Sequence, residues 1–416
     1  MWAGLPLGHD VPMPFDVRTR VDGDVDRLEP AAARVAIAAA LDAGADLVRP
    51  VLHYAKHPLT VDVDGDTWHV ASDGSGVALF DGAAGEGLRL RLTADQLSDL
   101  LSDQVTPMGW FSSGALRLDG RLEHLLDWWV LLRAAIDQRQ PHVPGAIDFS
   151  GTDLTQSFTV DDRDEDICAF LAEAGFVHIR GVYGEDEMAA VGADMGDAAP
   201  TYAKGDGRSW WAKTNDGVDR LVRMQGADTL CPSIGRLVED ERLARLGAIP
   251  RSGHEWGTRT GNRIEALFKP IGVSEGISDV PWHKDCSLGR HSYECCSLTV
   301  GISVIGADEN SGQLRVMAGS HRALVWPALL RRDNDLPDLG LPTQTGDVTI
   351  HLSCTLHMAQ PPVDRERKVL YTGFRLPPLN PEAARAARER LGHVREAAAV
   401  TVSQPSSPVR RGAPTG

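Results

Sequence analysis

The order of apolar and polar positions changes character twice along the chain. Over residues 31–48, Ala, Val, Ile and Leu recur at helical spacing and predict a helix. In LTVDVDGDTWHVAS, residues 59–72, Val61, Val63, Trp68 and Val70 sit around an Asp64-Gly65 pair, which predicts a β-hairpin. VALFDG and LRLRLT continue as short strands, and TADQLSDLLSD predicts an amphipathic helix with Thr93 as its cap. GALRLDGRLEHLLDWWVLLRAAID then reads as a short strand, a turn at Gly120 and a long helix with Leu122, Leu125, Leu126, Trp129 and Leu132 on one face. Up to about residue 140 the pattern is α+β.

QPHVPGAIDFSGTD interrupts the periodicity and is expected to form a linker over 141–155. DRDEDICAFLAEAGFVHIRGV predicts a helix closed by Gly175 and then a strand. GRSWWAKTND reads as a polar loop carrying Trp210 and Trp211, with a substrate-side role and a buried anchor as equal alternatives. Beyond residue 260, CCSLTVGISVIG, GQLRVMAGSH, GDVTIHLS and KVLYTGFRL are short β-branched runs broken by Gly, Asn and Asp. Strands at that spacing suggest a sandwich or barrel. Cys295 and Cys296 fall in the first of these runs, where alternation points them apart. The fold class is therefore mixed, with an α+β unit over 1–140 and a mainly-β unit with flanking helices over 156–380. A C-terminal helix over 381–400 and a disordered tail over 401–416 complete it.

Composition narrows the function. Asp plus Glu number 58 against 42 Lys plus Arg, a formal charge of −16, and such a surface repels nucleic-acid phosphates and anionic lipid. The Ala-rich stretch over 31–48 carries Arg34, Asp42 and Asp46 and is too short to span a bilayer, so no stable membrane insertion is expected. Six cysteines without CxxC spacing read as reduced thiols, and the first residues lack the signature of a signal peptide. A cytoplasmic protein with a small-molecule partner is the expectation.

One stretch concentrates candidate chemistry: PWHKDCSLGRH, residues 281–291. In a strand, residues two apart share a face, so His283 and Asp285 converge on one point. Two ligands hold a metal poorly, and the downstream candidates for a third are His291, His321, His351, His357 and His393. One carboxylate and two imidazoles form the facial set that leaves three positions open on Fe(II).

The order of elements after this pair resembles the phytanoyl-CoA dioxygenase-like family of Fe(II)/2-oxoglutarate oxygenases over roughly residues 160–378. The matching features are the WHxD stretch, an Asn/Gly-rich turn before QLRV, a Gly-Ser-His turn, a Gly-Asp before a strand, a histidine, and an arginine before the last strand. This resemblance implies a double-stranded β-helix, a jelly roll of the cupin-like kind. It makes His283, Asp285 and His357 the iron ligands, since the family's third ligand lies eleven positions beyond the Gly of Gly-Asp, here Gly346. His351 becomes a strand residue, His321 a structural turn residue and His291 a residue of the substrate loop. Arg367 is the implied anchor for the distal carboxylate of 2-oxoglutarate, with Arg375 the alternative, Arg365 and Lys368 solvated, and Lys269 a further anion contact. Fe(II), 2-oxoglutarate and O2 are the implied cofactor and co-substrates, with succinate and carbon dioxide as co-products. Ala318 stands where the family commonly has Pro. Because position 285 keeps its carboxylate, hydroxylation rather than halogenation is implied, on a small or medium metabolite bearing an apolar part, lipid-like or a secondary metabolite. Residues 30–139 resemble the sterol-carrier-protein-like α+β family, which implies an apolar pocket, although Trp110, Trp128, Trp129 and Leu125 read first as plain core. The alternative function is a non-catalytic metabolite- or lipid-binding carrier.

Overall fold

Two hydrophobic cores organise the chain in the computed structural model, which describes residues 27–256, 262–275, 282–285, 297–323, 325, 334–378 and 380–396. In the first, helix Pro30–Ala43 buries Ala33, Ile37 and Leu41, which are spaced four apart and share one face. It meets helix Leu122–Asp137, which buries Leu125, Leu126, Trp128 and Trp129. Five strands complete this unit: β1 (Leu59–Val63), β2 (Asp66–Ser72), β3 (Val77–Asp81), β4 (Leu88–Leu92) and β5 (Arg117–Asp119), in the order β3-β2-β1-β4-β5. Asp64 and Gly65 turn β1 into β2 with φ of 48° and 98°, the left-handed pair that matches the twist of a two-residue hairpin. Thr93 caps helix Ala94–Leu101 in a reciprocal box with Gln96. Trp68, Trp110, Trp128 and Trp129 are each no more than 4 % exposed, so they fill the core.

Residues 138–157 hold no helix or strand but are tied down. Arg139 donates to the Arg322 carbonyl at 2.9 Å, His142 lies 3.1 Å from Asp335, and Phe149 and Leu154 pack on the second core. The C-terminal helix Pro381–Glu396 returns to the first unit, where Leu391 joins the core and Arg390 pairs with Asp99 at 2.7 Å.

The second unit is built on a large sheet. Its strands are β6 (Phe158–Thr159), β7 (Phe176–Arg180), β8 (Ser209–Thr214), β9 (Asp219–Met224), β10 (Glu255–Trp256), β11 (Ile264–Lys269), β12 (Val273–Glu275) and β13 (Ser297–Ile305). The chain continues through β14 (Leu314–Met317), β15 (Asp338–Leu341), β16 (Val348–Leu352), β17 (His357–Ala359) and β18 (Arg367–Arg375). The large sheet runs β12-β8-β9-β11-β18-β13-β16-β7-β6 with β10 also on β18, and a small sheet runs β15-β14-β17. From β13 onward the chain passes back and forth between the two sheets, which is the winding of a double-stranded β-helix. Trp210 and Trp211 lie on β8, against the expectation of a loop. The Gly-bearing segment after it is the turn of the β8–β9 hairpin and another Gly-rich turn precedes it, and the two disguised the short strand between them.

Alternation along the large sheet sets up the site. Leu298, Val300, Ile302, Val348, Ile350 and Leu370 join Met188, Val191 and Met195 of helix Glu185–Ala198 in one core. Thr299, Gly301, Ser303, Thr349, His351, Arg367 and Tyr371 are therefore left on the opposite face. A Cβ added at Gly301 would lie 2.9 Å from the Tyr371 ring and 3.0 Å from the Thr349 hydroxyl, which confirms that these side chains share that face. No helix among the described residues is long and apolar enough to cross a membrane. Cys168, Cys231 and Cys354 are buried and form no disulfide among the described residues, while Cys295, Cys296 and the tail over 401–416 lie outside the described residues.

Candidate metal centre

His283 and His357 exchange both backbone hydrogen bonds, His283 N to His357 O and His357 N to His283 O, each 2.9 Å. This antiparallel bridge adds His283 to the free edge of β17 and sets the two imidazoles side by side, ring centroids 4.2 Å apart. Asp285 reaches the same point: its Oδ1 is 3.4 Å from Nε2 of His283 and 3.8 Å from Nε2 of His357. One ligand atom from each of His283, Asp285 and His357 lies within 4.8 Å of the others, a spacing that surrounds a cation with bonds of about 2 Å.

Protonation states suit coordination. Nδ1 of His357 donates to the Thr355 carbonyl at 2.9 Å, a contact that leaves the Nε2 lone pair free toward Asp285. Burial, then the neighbouring His351 and His283, push the His357 imidazole well below its usual range, although Asp285 pulls the other way. Burial opposes charge on Asp285, yet the facing His357 and His283 outweigh it and hold the carboxyl well below the usual carboxylate range. His357 is thus held toward its neutral form and Asp285 toward its carboxylate.

The residue between the ligands points away, as period two demands. Lys284 is fully buried and its Nζ donates to the carbonyls of Ser320 at 2.7 Å and Ala323 at 2.9 Å, which fastens the ligand segment to the Gly-Ser-His turn. Ser320 in turn accepts from Leu356 N at 2.7 Å, one residue before the third ligand. Asp347 of the Gly-Asp pair accepts from Gly181 N and Gln344 N at 2.8 Å each and faces His178 at 2.9 Å, so it ties β7 to the turn entering β16. These three polar motifs hold the frame, whereas His283, Asp285 and His357 face one another.

Arg367 begins β18, opposite Lys269 on β11. Both are 2 % exposed. Among the described residues Arg367 has no carboxylate partner: Nη1 donates to the Gly312 carbonyl at 2.9 Å, and Nε has no partner at all. A buried guanidinium left in that state is costly, so its surroundings are suited to an anion. Arg365, by contrast, is 53 % exposed and paired with Asp308 at 3.1 Å, and Lys368 lies over the Phe268 ring at 5.7 Å. Arg375 is half-buried at the far end of β18.

The remaining histidines separate clearly. Nε2 of His321 donates to the Ala172 carbonyl at 2.9 Å, at the end of helix Asp164–Ala174, away from the ligand set. His351 is 2 % exposed on β16, with its ring 4.2 Å from that of His357 and its Nε2 3.8 Å from Oδ2 of Asp285. His393 falls in the C-terminal helix, and His291 lies outside the described residues. Two residues near the centre went unread in the sequence: Thr299, whose hydroxyl donates to Oδ2 of Asp285 at 3.2 Å, and Lys284. Alternation within His283-Lys284-Asp285 could have flagged Lys284, whereas nothing local marks Thr299.

Comparison with known proteins finds a family match in one part of the chain. Residues 171–366 match the family model described as Phytanoyl-CoA dioxygenase (PhyH). The match does not extend to residues 30–139, and nothing supports the sterol-carrier likeness expected there. No curated protein matches the chain. Among solved structures, the non-heme alpha ketoglutarate dependent epimerase SnoN from nogalamycin biosynthesis is similar at 19% identity and a TM-score of 0.42, covering 51% of this chain and 82% of that one. AviO1 from Streptomyces viridochromogenes Tue57 is similar at 20% identity and a TM-score of 0.41, covering 52% and 96%. EctD from S. alaskensis, solved with 2-oxoglutarate and 5-hydroxyectoine, is similar at 16% identity and a TM-score of 0.41, covering 57% and 87%.

Proposed function

We propose that the protein is a non-haem Fe(II)- and 2-oxoglutarate-dependent dioxygenase that hydroxylates a small or medium metabolite bearing an apolar part, in the cytoplasm. The observation that carries the reading is the convergence of His283, Asp285 and His357 with their ligand atoms within 4.8 Å. When bound, iron and 2-oxoglutarate supply an oxidant from O2, with succinate and carbon dioxide as co-products. His283 and His357 offer imidazole nitrogens and Asp285 a carboxylate, a set that leaves three positions open. The fork of Arg367 is suited to receive the distal carboxylate of 2-oxoglutarate, with the Lys269 ammonium opposite it as a further positive charge. The Asp285 carboxylate occupies the position a halide would need, which supports hydroxylation. The first unit supports no carrier reading, because its tryptophans fill the core.

Anaerobic addition of Fe(II) and 2-oxoglutarate should give the weak visible charge-transfer band of a chelate, absent in Asp285→Ala. Substrate-dependent succinate release across a metabolite panel then identifies the substrate class. A protein that binds neither Fe(II) nor 2-oxoglutarate overturns the assignment.

A further inference from the structure

The two oxygens of Asp285 have different surroundings. Oδ1 faces both ligand histidines, at 3.4 Å from His283 and 3.8 Å from His357. Oδ2 turns to the large sheet, where the Thr299 hydroxyl donates at 3.2 Å and Nε2 of His351 lies 3.8 Å away. Thr299 and His351 are direct cross-strand neighbours on β13 and β16, so the pleat presents both to the same oxygen. Ser353 stands behind, 3.4 Å from the Thr299 hydroxyl. His351 is 2 % exposed, and neither ring nitrogen has a hydrogen-bond partner among the described residues. A buried N–H without an acceptor is costly, and Oδ2 is the acceptor within reach of a shift of under about 1 Å.

We propose that Thr299 and His351 form a clamp on Oδ2 that makes Asp285 a one-oxygen ligand. The inference rests on the metal-centre reading above and adds what holds the carboxylate in its binding mode. A carboxylate free to rotate can chelate through both oxygens and fill a second coordination position. With Oδ2 held by two donors from the sheet, only Oδ1 faces the cation and three positions stay open for co-substrates. Thr299 and His351 are positioning residues, since they act through Asp285.

Anaerobic titration with Co(II), followed by its visible d–d bands, reads the clamp without turnover. Thr299→Val and His351→Phe keep shape and remove the donor, and each should weaken Co(II) binding about 10- to 100-fold and shift the bands. Thr299→Ser and His351→Gln restore a donor and should stay within about threefold of wild type with wild-type bands. Wild-type affinity and bands in the Val and Phe variants overturn the clamp, as does equal loss in the Ser and Gln variants that keep the donor. Asp285→Ala separates the two readings: it should lose Co(II) whether or not the clamp exists. If it too binds like wild type, the metal centre itself is misplaced.

Discussion

At the scale of single residues, His351 and His357 pose the sharpest test. They lie six positions apart on successive strands, and ring type alone cannot separate them. The spacing from Gly346 selected His357, and in the structure its backbone bridge to His283 distinguishes it: His357 is paired with a ligand strand, whereas His351 faces Oδ2 of Asp285 from the other sheet. His357→Ala should abolish Fe(II) binding measured by anaerobic titration, while His351→Ala should retain it at reduced affinity. The reverse pattern would reassign the third ligand. Arg367 was singled out for a similar reason, its distance from the histidine, and within the charged run DRERK it is Arg367 that β18 turns inward while Arg365 stays outside. Arg367→Ala should raise the 2-oxoglutarate requirement by about two to four orders of magnitude, since losing one partner of a buried pair costs roughly 3–5 kcal/mol. Iron binding should stay near wild type, Arg365→Ala should change neither, and Arg367→Lys should rescue only in part because it keeps the charge but loses the planar fork. Equal 2-oxoglutarate affinity in wild type and Arg367→Ala would move the anchor to Arg375.

At the scale of elements, strands and helices with strong periodicity could be read locally, and their partners could not. The hairpin at Asp64-Gly65 and the cap at Thr93 need only neighbours in sequence, so both were visible. The parallel pairing of β1 with β4 depends on the whole first unit and was not. Gly175 shows how a local signal can hide a distant one. It ends helix Asp164–Ala174 at φ 84°, as expected, but a Cβ there would also lie 2.3 Å from Nδ1 of His321. That histidine closes the helix end by donating to the Ala172 carbonyl, and burial holds its imidazole down at about 3. The sign follows from linkage. The unfolded chain takes up this proton below pH 6.5 and the folded chain does not until about 3, so stability is full above 6.5 and falls as the pH drops between those values. His321 contributes at most one proton, about 1.4 kcal/mol per pH unit. His321→Gln, which keeps a donor and removes the titration, should therefore flatten the fall in urea midpoint across that window. An unchanged acid slope would show that other groups govern it.

At the scale of the whole molecule, the C-terminal helix is the feature least legible in the sequence. Residues 381–396 follow the second unit directly, and nothing in their own pattern tells which core their apolar side meets. The structure sends them to the first: Leu391 is 1 % exposed among residues such as Leu97, Leu125 and Trp129, and Arg390 reaches Asp99, which Arg27 also contacts at 2.9 Å. The first unit thus receives part of its core from beyond the second, and the two cannot be separated by a single cut near residue 140 without exposing apolar surface. Leu391→Ala should destabilise the first unit by about 2–5 kcal/mol, the usual loss for a large aliphatic side chain truncated in a core. The proposed iron ligands lie on the small-sheet strand β17 and the segment bridged to it, so the affinity for Fe(II) should stay at the wild-type value. Thermal unfolding followed by tryptophan fluorescence, run beside an anaerobic Fe(II) titration, reads the two effects separately. A lower transition with unchanged iron affinity fits a helix that serves the first core, whereas loss of iron binding in Leu391→Ala would mean that the first unit helps to shape the centre.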